Sequence, residues 1–164
     1  MSRSSPSHDK QSFLDPSTTF FADDFTLSLP SAWQSTTVYR LDGPHINDVQ
    51  HTIQITIELD VEPRAVADYA AQCIEQKKTV LRGGKVLSQT QRQLDDGSPA
   101  YWVSFSLQTP DGERRYQEDC YVLHDGVGYQ LSAQFTPETR ANMGPVVRSI
   151  IDRFSPHLPL SHRR

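Results

Sequence analysis

The run Thr52-Ile53-Gln54-Ile55-Thr56-Ile57-Glu58-Leu59 decides how the rest of the chain is read. Its apolar residues fall at every second position, so Ile53, Ile55, Ile57 and Leu59 share one face of a strand and Thr52, Gln54 and Thr56 the other. Just beyond it the period changes. Pro63 suits the first turn of a helix, where no amide hydrogen is needed, and Val66, Tyr69, Ala70, Cys73, Lys77, Val80 and Leu81 recur at helical spacing up to the stop at Gly83-Gly84. One long amphipathic helix therefore follows one half-buried strand.

Upstream, Phe25-Thr26-Leu27-Ser28-Leu29 alternates and ends at Pro30, and Thr36 to Leu41 is a second run, closed by Asp42-Gly43-Pro44. Downstream, four strands are predicted at Lys85 to Leu94, Ala100 to Gln108, Arg114 to Leu123 and Val127 to Phe135. They are separated by Asp95-Asp96-Gly97, Pro110-Asp111-Gly112 and His124-Asp125-Gly126, and Asp-Gly between alternating runs signals an antiparallel hairpin. Met143, Val147, Ile150, Ile151 and Phe154 mark a closing helix, with Gly144-Pro145 dividing off a first turn. The expectation is an α+β fold: an antiparallel sheet of about six or seven strands packed with two main helices. It fills a single domain over 19–154, between a disordered N-terminal tail at 1–18 and a mobile C-terminal tail at 155–164.

The chain has 164 residues, enough to hide roughly two thirds of its unfolded surface without disulfides or a metal. A formal charge of −4 offers no field for phosphate backbones or anionic lipid, which argues against nucleic acid as a partner. Two cysteines without a Cys-x-x-Cys pair, and a polar stretch from Met1 to Lys10, read as a reducing, cytoplasmic protein. No apolar run approaches the ~20 residues of a membrane span, so no stable membrane insertion is expected.

Catalytic constellations do not emerge. There is no Gly-x-Ser-x-Gly elbow, no phosphate-cradling glycine loop and no His-Glu-x-x-His pair. Of the six histidines only His45 and His51 lie close together, and two imidazoles do not make a metal site. Asp95-Asp96 and Glu118-Asp119 are adjacent pairs, yet neighbouring strand residues point to opposite faces. The chain is thus expected to be no enzyme and to hold no cofactor and no metal, with Cys73 and Cys120 as packing residues.

What stands out is a polar but uncharged face. Thr52, Gln54 and Thr56 lie opposite the isoleucines, and Gln130, Ser132 and Gln134 repeat the pattern. On the strand from Ala100, placing Tyr101, Val103, Phe105 and Leu107 in the core turns Trp102, Ser104, Ser106 and Gln108 outward. A face exposed only to water more often carries Lys and Glu. Amides and hydroxyls can satisfy the polar atoms of an otherwise apolar guest without burying charge. The candidate partner-binding residues are Gln54, Gln72, Trp102, Ser104, Gln117, Gln130 and Ser132, with Tyr121 a flanking aromatic.

Several phrases, in this order, resemble the DcrB-like branch of the Mog1/PsbP-like superfamily: Phe25-Thr26-Leu27-Ser28-Leu29-Pro30 followed by Trp33, Ala100-Tyr101-Trp102, Tyr116-Gln117, Gly128-Tyr129-Gln130-Leu131 and Ile150-Ile151-Asp152-Arg153-Phe154. The resemblance implies an αβα sandwich and mostly non-catalytic roles. Within that group the chain is similar to the Eag-type chaperones of type VI secretion, which dimerise and shield hydrophobic N-terminal helices of effector proteins before export. In those chaperones glutamines of the first helix and of one strand contact the guest. Gln72 and Gln117 are the matching residues here, with Cys73 and Asp119 as the alternative register. Other readings are a DcrB-like module for a different protein partner and a carrier of small hydrophobic ligands.

Overall fold

A computed structural model describes residues 16–21, 26–30, 36–81 and 83–157. The chain forms two compact units, 1–35 and 36–164. In the first, β1 (Pro16–Phe21) and β2 (Thr26–Pro30) make an antiparallel hairpin with Phe20 opposite Leu27. The strand expected at Phe25 is therefore β2. Its partner is a finding, since Pro16, Ser17 and Thr18 had been assigned to the tail. Phe25 itself and Trp33 lie outside the described residues.

The second unit runs β3 (Thr36–Ile46), β4 (Val49–Glu58), α1 (Val66–Val80), β5 (Lys85–Gln93), β6 (Pro99–Gln108), β7 (Arg114–His124), β8 (Val127–Phe135) and α2 (Pro137–Asp152). Its strands form one six-stranded antiparallel sheet in the order β3-β4-β8-β7-β6-β5. The fold is α+β. The meander from β5 to β8 follows from its turns: Gly97 and Gly112 sit at φ of 87° and 89°, and Asp125 and Gly126 at 48° and 76°. Two consecutive positive φ values let a two-residue turn match the twist of the flanking strands. After α1 crosses the sheet, the last meander strand returns beside β4.

Two expected boundaries move. β3 does not stop at Asp42-Gly43-Pro44; it absorbs that stretch as a bulge between Asp42 and His45 and turns at Asn47-Asp48, both with positive φ. Proline is tolerated there because β3 is an edge strand, where an amide hydrogen is not required on the open side. α2 begins six residues before Met143, the first residue expected in it, and Pro145 lies inside without dividing it. Thr136 caps the first turn reciprocally with Thr139 (3.1 and 3.0 Å), and Pro137 takes the position that needs no donor. The start of the expected C-terminal tail is also anchored. Tyr129 donates to the His157 carbonyl (3.0 Å), Ser155 to Asp96 (2.9 Å), and Pro156 is buried.

Register sorts the side chains onto two faces. Ile53, Ile55 and Ile57 align with Ala133, Leu131 and Tyr129 on β8, and these with Glu118, Cys120 and Val122 on β7. This face carries Ala100 and Trp102 of β6 and packs under Met143, Val147 and Ile151 of α2. The other carries Tyr121, Val103 and Phe105 under Tyr69, Ala70 and Ile74 of α1. Each helix thus covers its own side of the sheet. The expectation that Tyr101, Val103, Phe105 and Leu107 share the isoleucine face is therefore corrected, and Trp102 does not turn outward. It is 8% exposed, beneath the Arg92 guanidinium at 4.4 Å from the ring centroid. The reason is that a helix packs on each side of the sheet, so the alternation of β6 marks its more apolar set without saying which side that set faces; only pairing through β7 and β8 does.

Candidate partner-binding face

α1 packs on β6 and β7. On the same side of the sheet, within this unit, β4 and β8 carry a floor that the helix does not cover. Alternation and register place Thr52, Gln54 and Thr56 of β4 beside Gln130, Ser132 and Gln134 of β8. All six are exposed or half-buried, and none carries a formal charge. Gln130 donates to Ser132 along the strand (3.2 Å). By helical spacing Tyr69, Cys73, Gln76 and Val80, at i, i+4, i+7 and i+11, form a single stripe of α1, and Tyr69 meets β4 and β8 at its start. Tyr69 fixes that stripe against the sheet. Its hydroxyl lies 3.5 Å from Glu58 on β4, and its ring edge meets Tyr121. Val80, at the end of the same stripe, stays 76% exposed.

Between floor and helix lies a buried ionic network. Asp119 is fully buried and pairs with the Lys77 ammonium, which descends from α1. The same carboxylate accepts from Gln117 Nε2 (2.9 Å) and from the Tyr121 hydroxyl (3.0 Å). A carboxylate only accepts, so the Gln117 amide must turn its nitrogen inward and its oxygen outward. That oxygen accepts from Gln134 Nε2 (3.0 Å), at the open edge of the floor. The chain of bonds therefore sets which way Gln134 presents its own amide. A guest would meet oriented donors and acceptors, with less ordering to do on binding.

The residues singled out from sequence divide accordingly. Gln54, Gln130 and Ser132 lie on the open floor, with Gln117 buried at its margin. Gln72 is exposed on α1, one turn from Tyr69 and from Gln76. Trp102 and Ser104 belong to the opposite face, and Tyr121 is fully buried. Thr56 and Gln134 were legible as part of the polar pattern. Gln76 and Lys77 were not, and the only signal for Gln76 was its place three residues after Cys73. Among the described residues no cluster of three or more His, Cys, Asp or Glu could hold a metal, and no helix is long and apolar enough to cross a membrane.

Burial also governs the weak acids here. It pushes the Cys120 thiol from 9.0 up to about 12 and raises Cys73, the latter partly offset by its hydrogen bond with Tyr69. Tyr69 and Tyr121 are raised by burial first, then by nearby Cys73 and Glu58 for Tyr69 and by Asp119 for Tyr121. Each group keeps its proton in the fold above the pH at which the unfolded chain releases it, so stability is lost as pH rises through that window. From neutral pH upward the urea midpoint should hold until about pH 8.5 and then fall, with Cys120, Tyr69 and Tyr121 each removing up to about 1.4 kcal/mol per pH unit within its window. A midpoint unchanged between pH 8.5 and 10.5 contradicts this.

No known family model and no curated protein matches this sequence. Solved structures do. The chain superposes on the Pseudomonas aeruginosa protein PA94, of unknown function and suggested to be a regulator, with a TM-score of 0.67 at 17% identity over 87% of this chain and 98% of that one. A second match is the cyanobacterial PsbP protein CyanoP of Synechocystis sp. PCC 6803, with a TM-score of 0.55 at 9% identity over 85% and 92% of the two chains. The fold is PsbP-like. The αβα layering that the resemblance implied is present, and at these identities the likeness concerns the fold alone.

Proposed function

We propose that this protein is a non-enzymatic, cytoplasmic chaperone or adaptor that holds an apolar helix of a partner protein on the open β4–β8 face. The guest class is the one implied by the Eag-type resemblance: hydrophobic, transmembrane-like N-terminal helices of a type VI secretion effector awaiting export. The observation that carries the reading is the neutral floor of Thr52, Gln54, Thr56, Gln130, Ser132 and Gln134. A free apolar helix of about 20 residues would insert into a bilayer or aggregate. Amides and hydroxyls that bond to one another or to the guest's polar atoms can lie under such a helix at a far smaller desolvation cost than lysines or glutamates, which would have to be buried unpaired. Binding then needs no catalytic group. The resemblance also implies a homodimer, which light scattering in solution measures directly.

Co-expression with an effector's N-terminal helical segment is expected to give a complex that survives size-exclusion chromatography. Gln130→Glu combined with Ser132→Asp places two charges under the guest and should weaken it at least about tenfold, roughly 1.4 kcal/mol. Gln91→Ala, on the edge strand β5 at the other end of the sheet, should leave affinity unchanged. Normal binding by the doubly charged variant removes the floor as the site, and failure to bind any such segment removes the guest class.

A further inference from the structure

On the opposite side of the sheet, α2 overhangs β7 and shapes a shallow cavity of about 340 Å³ lined by Tyr116, Pro137, Arg140, Ala141, Pro145 and Arg148. Two guanidinium groups meet there in different circumstances. Arg148 is committed: its Nε donates to Glu118 Oε2 at 3.0 Å, and that carboxylate side chain is only 5% exposed. Gly144 leaves room for it, since a Cβ there would come within 3.0 Å of the Arg148 Nη2 atom. Arg140 is not committed. Its guanidinium carbon stands over the Tyr116 ring, 4.3 Å from the centroid, half-buried, and among the described residues no carboxylate pairs with it. Stacking occupies the face of the guanidinium and leaves its in-plane N–H donors free.

The site therefore sums to one positive charge, two arginines against Glu118, on a chain whose formal charge is −4. A fork of parallel N–H donors matches a planar carboxylate, and one net charge matches a monoanion better than a phosphate dianion. The volume sits at the low end of ligand pockets, room for an acidic side chain together with the backbone on either side of it and small for a cofactor. Directly across from Tyr116 and Glu118, β6 presents Ser106 and Ser104, half-buried hydroxyls suited to the backbone of a peptide running alongside.

We propose that this cavity binds one Asp or Glu side chain of a polypeptide partner, with Arg140 taking the carboxylate. It lies on the other face of the sheet from the guest floor and stands independently of that reading. The test is an NMR titration of the labelled full-length chain at low salt with acetyl-Gly-Glu-Gly-amide, its Gln counterpart, sodium acetate and inorganic phosphate. The Glu peptide is expected to shift the side-chain Nε–H signals of Arg140 and Arg148 saturably, more strongly than acetate, while the Gln peptide does not. Arg140→Gln should abolish the response, and Arg140→Lys, which keeps charge but loses the fork, should weaken it several-fold with amide shifts elsewhere unchanged. Equal responses to the Glu and Gln peptides, or an unaltered response in Arg140→Gln, overturn the proposal. Saturation by phosphate at lower concentration than by the Glu peptide also overturns it, in favour of a free-anion site.

Discussion

Asp119→Ala is expected to lower folding stability by about 3–5 kcal/mol, measured as a fall in the urea midpoint at unchanged slope. The carboxylate it removes is fully buried and serves three donors: Lys77, Gln117 and Tyr121. Tyr121 is itself fully buried, so its hydroxyl is left without an acceptor, at about 1–3 kcal/mol. Lys77 has a side chain 17% exposed and can swing partly into water, which holds the total below that of a wholly enclosed pair. Lys77→Met should also destabilise, by stranding the carboxylate. Lys77→Met combined with Asp119→Leu should cost less than the sum of the single changes, because no charge is then left alone. Single changes within about 0.5 kcal/mol of the parent would show that the network holds neither α1 nor the sheet. The same variants report on binding. Without Asp119 nothing forces the Gln117 amide to turn its oxygen toward Gln134, so the guest face should lose order even where the fold survives.

How far the sequence reached depends on what each feature needed. Strand β4, helix α1 and the hairpins around Asp111-Gly112 and Asp125-Gly126 were legible because each is set by local period or by a turn that only certain residues allow. The start of α2 was within reach: Thr136-Pro137 is a start signal, but the apolar spacing that drew attention began only at Met143. The faces were harder. β4 is polar on one side and declares its orientation, whereas β6 contributes to the cores on both sides of the sheet and does not. That is why Trp102 and Ser104 were grouped with Gln54 although they face the other way. The Asp119 network was illegible in a stronger sense. Glu118 and Asp119 are neighbours with the same chemistry, and only the pairing of β7 reveals that one meets Arg148 of α2 and the other Lys77 of α1. Long-range partners of this kind leave no trace in spacing.

Gly128→Ala tests how closely α1 must approach the sheet. A Cβ built at Gly128 would stand 2.3 Å from the Tyr69 hydroxyl and 2.5 Å from the ring carbon bearing it, distances at which something must move. The backbone does not demand glycine here, since Gly128 is not among the residues at positive φ; the space does. The ring cannot easily yield, because Tyr69 is 3% exposed and its other side meets Tyr121. The expected loss is about 3 kcal/mol, the upper end for an overpacked core, and it should appear with α1 displaced from β8. Tyr69→Leu removes the hydroxyl and the outer ring, so adding it to Gly128→Ala should recover stability, with a coupling of about 1–2 kcal/mol between the two sites. A loss arising from strand propensity alone would be untouched by the change at Tyr69. Full stability in Gly128→Ala itself would mean that the helix does not rest on β8, and the Tyr69 to Val80 stripe would then no longer start against the strands that carry the floor on which the guest is proposed to lie.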